Sequence, residues 1–193
     1  MTGKVDLLLK GGRVTDPSVG LDAHKDVAFT DGKISAILDS NSLVEAKEVQ
    51  DVSDCIVCPG LIDLHTHVYW GATGLGINAE DIAGRSATTT FIDAGSAGAG
   101  NFGGLKHFIA DKTDLRILGF INISFAGICG FSKKKANLFP ECEDIRLLDT
   151  DECLEAIEKY RDSIVGIKVR IGRYASGSAG MTPLQIAREV GEE

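Results

Sequence analysis

Two histidines that follow an apolar stretch could together bind a metal ion. Residues 59–67 read Pro-Gly-Leu-Ile-Asp-Leu-His-Thr-His. Side chains two apart on a strand share one face, so His65 and His67 should point the same way, together with Asp63. Neutral imidazole suits Zn, Fe or Ni. Because the chain holds only four histidines, this spacing favours a metal site over its alternative, a pair of buried, hydrogen-bonded histidines.

A lysine and an arginine farther along the chain could also take part in chemistry. Lys168 lies inside an apolar run, where an unpaired ammonium group is unfavourable. The residues alone leave two interpretations open: a functional lysine, or a lysine that reaches solvent at a strand end. Arg170 lies on the same face two residues later. It could hold a substrate carboxylate or form a surface ion pair.

The elements that would position these residues alternate between strands and helices from residue 55 onward. Nearly continuous apolar runs indicate parallel strands that are covered on both faces. The predicted strands are 56–67, 88–94, 115–124 and 164–171. The predicted helices are 77–86, 102–111, 150–161 (with Thr150 and Asp151 as capping signals) and one that starts at Thr182. Repeated βα units predict a doubly wound sheet or a (β/α)8 barrel. Four units would form a partial barrel, because a barrel needs eight.

The first part of the chain has a different pattern. Residues 1–54 contain short strand-like segments separated by turn residues, and no helical periodicity of useful length appears. Asp31-Gly32 lies between two predicted strands, Val27–Thr30 and Lys33–Ile37, and is a strong signal for a β-hairpin. We therefore predict a small β unit over 1–54 and a βα region over 55–193.

Composition and charge argue against several classes of protein. Hydrophobic residues make up 44% and charged residues 25% of the 193 residues, and the net charge is −8, which is typical of a folded protein. The only basic run, Lys133–Lys135, is interpreted as a solvated loop, so nucleic-acid binding is not expected. No apolar stretch reaches the ~18 residues of a membrane span, and the start lacks a signal-peptide pattern.

The cysteines favour a reducing compartment. The chain has five, an odd number without a disulfide framework, so we expect reduced thiols and a cytoplasmic location. Cys55 and Cys58 form a C-x-x-C pattern, but no second Cys/His pair accompanies it. A redox or zinc role is therefore not expected there. The sequence leaves homo-oligomerisation open.

Two further features have competing explanations. Gly98–Gly103 matches G-x-G-x-x-G, but the acidic residue expected about 20 positions later in a dinucleotide site is absent. The glycines are better explained by a βα loop that passes close to the metal site. The connection from Phe125 to Asp149 is far longer than the usual ~2–6 residues. It is either a lid over the site or a surface excursion.

The motif at 59–67 resembles the signature of amidohydrolase-superfamily metallohydrolases, and other segments support the resemblance. Within the superfamily, the chain is most similar to the amidohydrolase/deacetylase metallohydrolases, which are often described as dihydroorotase-like. The likeness covers essentially the whole chain as the N-terminal part of such a protein. The supporting segments are Leu7–Val14, Asp31–Ile37, His65–Gly71, Asp93–Phe102, Asn122–Phe125 and Val165–Arg170.

The resemblance implies a fold and a set of metal ligands. It implies that 1–54 is part of an N-terminal β-sandwich and that 55–193 is the first half of a TIM barrel. His65, His67 and Lys168 would bind metal. Lys168 would also act in catalysis, as a carbamate formed with CO2 that bridges two divalent ions, expected to be zinc. Burial beside cations favours the neutral amine, which can be carboxylated.

The resemblance also implies a reaction. A metal-activated hydroxide would cleave an amide or ester acyl bond of a small substrate, as in a deacetylase, with Arg170 and Tyr69 in contact with that substrate. A dihydroorotase-type cyclic amidase is the alternative. True dihydroorotases usually have arginine two residues after the second metal histidine, where this chain has Tyr69.

Part of the implied site is absent from this chain. In family members, a second histidine pair from strands five and six and an aspartate from strand eight complete the centre. The other two histidines, His24 and His107, lie in the β unit and in a predicted helix, so they cannot replace that pair. We therefore expect no turnover from the 193 residues alone. A third hypothesis is a truncated, inactive fragment that at most binds metal.

Overall fold

In the computed structural model, the chain divides into two units, Met1–Pro59 and Gly60–Glu193. We call them the β unit and the βα unit. The structure describes residues 4–40, 42–130 and 139–193. The lysine run at 133–135, predicted to be a solvated loop, lies outside the described residues.

Strands are the regular elements of the β unit, as predicted. They are β1 (Val5–Lys10), β2 (Arg13–Asp16), β3 (Leu21–Thr30), β4 (Lys33–Asp39), β5 (Ala46–Asp51) and β6 (Ile56–Val57). They pair in the order β5-β1-β3-β2-β6, and β4 pairs with β3. A small core of Val5, Leu8 and Ala28 lies between them.

The predicted hairpin is confirmed. Asp31 and Gly32 have φ angles of 52° and 70°, and Thr30 pairs with Lys33 across the turn. A two-residue turn with positive φ at both positions matches the twist of the flanking strands. β3 begins at Leu21, earlier than predicted, because its polar first half pairs with β2.

The prediction of a single strand over 56–67 is wrong. Ile56–Val57 pairs with β2 in the β unit, whereas the next strand begins only at Leu61. Pro59 and Gly60 separate the two strands. Proline has no N–H to donate, and a Cβ on Gly60 would lie 2.0 Å from Oγ1 of Thr89. The units therefore divide at residue 59 rather than at 54.

Among its described residues, the βα unit contains a four-stranded parallel sheet and four α-helices. The strands are β7 (Leu61–Thr66), β8 (Thr88–Gly98), β9 (Arg116–Asn122) and β10 (Ile164–Lys168), and the helices are α1 (Glu80–Ser86), α2 (Phe102–Phe108), α3 (Thr150–Lys159) and α4 (Thr182–Glu192). The sheet order is β10-β9-β8-β7, so each strand lies beside its predecessor. The predicted alternation of strands and helices is confirmed, and the fold is mixed α/β.

Helices α2, α3 and α4 share one core with the middle of the sheet. Phe102 and Leu105 of α2 pack with Ile121 and Ile123 of the β9 region and with Cys153 of α3. Burying a large apolar side chain contributes ~1.5–3 kcal/mol, so this core fixes the strands whose ends carry the candidate site.

The start of α3 differs from the prediction in one detail. The N-cap is Asp149, whose Oδ1 accepts a hydrogen bond from the backbone N–H of Glu152 at 3.0 Å. Thr150 and Asp151, the predicted capping signals, are already in the first turn of the helix. Aspartate is a preferred N-cap because its carboxylate satisfies a free N–H there.

Among the described residues, no helix is both long enough and apolar enough to cross a membrane.

Candidate metal centre

The strand β7 brings the two candidate histidines together. His65 is the second-last residue of β7, and His67 follows the last residue, Thr66. The two imidazole rings lie edge to face with their centroids 5.7 Å apart. The carboxylate of Asp63, predicted to share this face, accepts a hydrogen bond from the backbone N–H of His65 at 3.1 Å.

His67 is held by a serine from the neighbouring strand. Its ring Nδ1 lies 2.9 Å from Oγ of Ser96 in β8, which leaves Nε2 as the candidate metal ligand. Burial lowers the pKa of His67 below its ordinary value of 6.5. The charge of Asp93 opposes this shift, and the charges of Lys168 and Arg170 add to it. The shift favours the neutral imidazole, which is the form that binds metal.

Asp93 ties the end of β7 to β8. It is fully buried. Its Oδ1 accepts a hydrogen bond from the backbone N–H of Ser96 at 2.6 Å, and its Oδ2 accepts one from the backbone N–H of Val68 at 2.9 Å. The hydroxyl of Thr66 adds a bond to the carbonyl oxygen of Ile92 at 3.1 Å. The residues on both sides of His67 are therefore fixed to β8.

Lys168 is the last residue of β10. Its neighbours Ile167 and Val169 pack against the core that the sheet shares with α2, α3 and α4, which we call the helix-facing core. The side chain of Lys168 therefore belongs to the other face of the strand. The backbone carbonyl of Lys168 accepts a hydrogen bond from the N–H of Ile123 at 2.9 Å. Arg170 lies two residues past the end of β10, and the face that it shares with Lys168 stays a prediction.

A glycine makes room for the lysine side chain. Gly95 in β8 has a φ of +83°, and a Cβ there would lie 2.6 Å from both Cβ and Cγ of Lys168. The carbonyl of Gly95 accepts a hydrogen bond from the side-chain amide of Asn122 at 3.0 Å. The lysine stem therefore lies directly against the β8 backbone, close to the serine that holds His67.

A buried carboxylate that the sequence did not indicate lies near the same cations. Glu141 is 6% exposed, and its Oε1 has no hydrogen-bond partner in the part of the chain that the structure describes. Burial raises the pKa of Glu141 above its ordinary value, and the charges of Arg170 and Lys168 partly offset that shift. The next residue, Cys142, donates its backbone N–H to the carbonyl of Ala175 at 2.9 Å.

Tyr69, predicted to contact substrate, lies against helix α2. Its hydroxyl donates a hydrogen bond to the carbonyl of Asn101 at 3.3 Å, and a Cβ on Gly104 would lie 2.0 Å from that hydroxyl. The ring packs at the margin of the helix-facing core. Substrate binding by Tyr69 and by Arg170 stays a prediction.

The glycines of the G-x-G-x-x-G match are explained by close packing. A Cβ on Gly98 would lie 1.9 Å from the carbonyl oxygen of Ser124, and one on Gly100 would lie 2.4 Å from the ring of Phe125. Asn101 ties this loop to the residues after β9, because its side-chain amide donates to the carbonyl of Ala126 at 3.0 Å. The packing accounts for these glycines without a nucleotide.

His65 and His67, with Lys168 beside them, are side chains that fit a metal ion. In the described ranges, His, Cys, Asp and Glu side chains alone form no group of three around a common point. The imidazoles are thus a pair, and Lys168 is the candidate third ligand from this chain. A zinc ion binds imidazole nitrogen at ~2.0–2.1 Å, so one ion can reach both rings at their observed separation. Because Gly95 has no side chain, the stem of Lys168 can lie against β8 on the side of the sheet that carries Ser96 and His67.

Comparisons with known proteins support the sequence resemblance. No protein-family model matches the chain. A deacetylase of Brucella anthropi is 35% identical over 170 residues, which cover 88% of this chain and 41% of that protein. A dihydroorotase of Citrifermentans bemidjiense is 45% identical over only 64 residues, which cover 33% of this chain and 15% of that protein.

A solved structure extends the similarity to the fold. The crystal structure of a dihydroorotase matches with a TM-score of 0.86 at 30% identity, over 96% of this chain and 48% of that one. The structural neighbours are members of the amidohydrolase superfamily, and this chain is similar to them over most of its own length. It spans about two fifths of the length of the deacetylase that it matches and about half of the dihydroorotase structure.

Proposed function

We propose that the protein containing this chain is a metal-dependent hydrolase that removes an acetyl or similar acyl group from a small amide or ester. The observation that carries the proposal is the pair His65 and His67 at the end of β7, with Nδ1 of His67 engaged by Ser96. The deacetylase similarity extends over 88% of the chain, whereas the dihydroorotase sequence similarity covers 33%.

We further propose that the βα unit is the first half of a (β/α)8 barrel, and that the β unit is part of a β-sandwich. The order β10-β9-β8-β7 supports a barrel, because a doubly wound sheet reverses its strand order at a switch point. The candidate ligands lie at the C-terminal ends of β7 and β10. Active sites of such barrels lie at that end.

In this proposal, each site residue has its own role. His65 and His67 would hold a zinc ion, and Lys168, carried as a carbamate, would be the further metal ligand that this chain supplies. Bound ions would activate a water molecule and polarise the acyl carbonyl. Arg170, two residues past the end of β10, binds a carboxylate of the substrate with its planar guanidinium group. The proposed substrates are therefore small acyl compounds that carry a negative charge.

The dihydroorotase-type cyclic amidase is the second candidate. The match to a dihydroorotase structure with a TM-score of 0.86 favours it. Against it, position 69 holds a tyrosine whose hydroxyl is bonded to the carbonyl of Asn101, where dihydroorotases usually have an arginine. Dihydroorotate therefore belongs among the substrates to be tested.

The test uses the longest reading frame that contains this chain, purified with zinc and assayed on N-acetyl amino acids, acetyl esters and dihydroorotate. We expect acetyl hydrolysis that is lost in His65→Ala and His67→Ala. His107→Ala is the matched control, because this exposed histidine of α2 contacts only Asp111 among the charged groups of the described chain. Hydrolysis that persists in His65→Ala contradicts the proposal, and turnover of dihydroorotate alone supports the second candidate.

A separate measurement concerns residues 1–193 by themselves. We expect no acyl hydrolysis from them, because the second histidine pair and the late aspartate of the family site are not in this sequence. Turnover by the purified 193-residue chain that disappears in His65→Ala would show that this expectation is wrong.

A further inference from the structure

Four consecutive residues of β8, Asp93–Ser96, contact the residues of the other three strands that carry or adjoin the candidate ligands. Toward β7, the segment bonds to His67 and to the backbone of Val68. Toward β9, the carbonyl of Gly95 accepts the side-chain amide of Asn122. Toward β10, the same glycine lies against the stem of Lys168. This segment therefore connects both parts of the proposed ligand set.

Ser96 is the member that touches a candidate ligand with a polar atom. The serine is 2% exposed, so solvent does not compete for its hydroxyl. An imidazole that binds metal through Nε2 carries its proton on Nδ1, and a bond from that proton fixes both the tautomer and the ring plane. The distance of 2.9 Å between Nδ1 of His67 and Oγ of Ser96 fits such a bond.

Asp93 in turn fixes the backbone of Ser96 by a hydrogen bond. One carboxylate oxygen accepts the backbone N–H of Ser96, and the other accepts the backbone N–H of Val68, the residue after His67. Both backbone segments are therefore bound to a single buried side chain. Movement of the backbone after His67 relative to that of Ser96 would require one of these bonds to break.

We propose that Ser96 and Asp93 are positioning residues of the metal centre: Ser96 accepts the Nδ1–H of His67 so that Nε2 faces the ion, and Asp93 holds Ser96 and the chain after His67 in register. The inference rests on the proposed function, because it assumes that His67 binds metal. It adds two residues that do not touch the ion, and it assigns the buried Asp93 a role in metal affinity.

The experiment measures the zinc affinity of the longest reading frame that contains this chain, by competition with a chelator, together with the visible absorption of its Co²⁺ form. We expect Ser96→Ala to weaken zinc binding ~10–100-fold, the usual cost of losing an outer-shell partner, and to alter the Co²⁺ spectrum. Ser96→Thr keeps the hydroxyl and should retain most of the affinity.

The matched control is Ser163→Ala. Ser163 is also a buried serine, but it precedes β10 at the end of the strand remote from Lys168. A purely structural role of Ser96 would lower the melting temperature of the metal-free protein and leave the zinc affinity like that of the control. If Ser96→Ala does not fold, Ser96→Cys replaces it, because a thiol is a weak acceptor.

The outcomes separate this inference from the proposed function. If the wild-type protein binds no zinc, or binds it unchanged in His65→Ala, the proposed function fails and the inference fails with it. If the wild-type protein binds zinc through His65 but Ser96→Ala, or Ser96→Cys, has the same affinity and Co²⁺ spectrum, only the positioning role is overturned.

Discussion

Each of the two units buries one aspartate among its described residues, and the two aspartates differ in how completely they are hydrogen bonded. In the β unit, Oδ1 of Asp26 accepts the backbone N–H of Gly11 at 2.8 Å, while its Oδ2 has no partner in the described chain. In the βα unit, both oxygens of Asp93 accept backbone N–H groups. Buried polar groups usually have hydrogen-bond partners, so Asp93 shows the usual arrangement and Asp26 is the exception.

The difference shows where each unit uses its buried polar groups. Asp26 supports one turn at Gly11. In the βα unit, buried polar residues collect toward the C-terminal ends of β8 and β9, and they bond to one another's backbones. Asn122 joins Gly95 to Ser124 in the same way as Asp93 joins Ser96 to Val68. Burying polar groups is unfavourable unless they are hydrogen bonded. At this end of the sheet the buried polar side chains are bonded, and their bonds fix the backbone beside the candidate ligands.

The largest effect should come from two glycine-to-alanine variants, one in each unit. Gly95 and Gly20 both have positive φ, +83° and +65°, but only Gly95 has neighbours within 4 Å of a new Cβ. Gly20→Ala should lower the free energy of unfolding by ~1–2 kcal/mol, because a residue with a Cβ is strained in the left-handed conformation. Gly95→Ala should lower it by the same strain and by a further ~1–3 kcal/mol, because the new Cβ overlaps the side chain of Lys168.

Urea unfolding of the two variants checks this prediction, and zinc binding provides a second readout. Gly95→Ala should also weaken zinc binding, because the lysine stem must move, while Gly20→Ala should bind zinc like the wild type. Equal losses of unfolding free energy in the two variants would contradict the close packing of Lys168 on Gly95.

A smaller effect should separate the two buried aspartates. Asp93→Asn places an amide N–H against a backbone N–H, so one buried donor loses its acceptor, which costs ~1–3 kcal/mol. Asp26→Asn can put its nitrogen where the unpartnered Oδ2 lies and keep the bond to Gly11, so its loss should be smaller. Denaturant unfolding of both variants measures the contrast, and a larger loss in Asp26→Asn would reverse our comparison.

The smallest effect concerns Glu141, the carboxylate of the βα unit that, like Asp26, has an oxygen without a partner in the described chain. Its pKa is raised by burial, and the charges of Arg170 and Lys168 partly cancel that shift. A carboxyl with a raised pKa in the folded state contributes stability at low pH. That contribution is lost as the pH rises from its ordinary value of 4.5 through its folded value.

Glu141→Gln removes this titration. The wild-type free energy of unfolding should therefore fall more steeply than that of Glu141→Gln as the pH rises above about 4.5. The measurement is a series of denaturant unfolding curves between acidic and neutral pH for both proteins. Parallel pH profiles would show that the Glu141 carboxyl titrates alike in the folded and unfolded chain.

Much of the fold could be predicted because its signals are local. The apolar runs of β8, β9 and β10 and the Asp31-Gly32 turn carry their structure in their own sequence. The polar first half of β3 was missed because it is a strand only through its pairing with β2. Residues 56–57 were assigned to the wrong unit because an apolar dipeptide does not indicate its partner strand.

The site could be predicted only where sequence spacing or resemblance pointed to it. The spacing of His65 and His67 indicated their proximity, and the resemblance alone gave Lys168 a role. Ser96 is 29 positions from His67, and no local pattern predicts that bond. Glu141 comes from the long connection after β9, where the sequence carried no signal for a buried carboxylate.

The most direct test of the central claim is a crystal structure of the longest reading frame that contains this chain, grown with zinc, with an anomalous difference map recorded at the zinc edge. Our account predicts a peak ~2.0–2.1 Å from Nε2 of His67 and from a ring nitrogen of His65, with the side chain of Lys168 bound to the same centre. A map with zinc bound elsewhere, and none between these two imidazoles, would contradict the account.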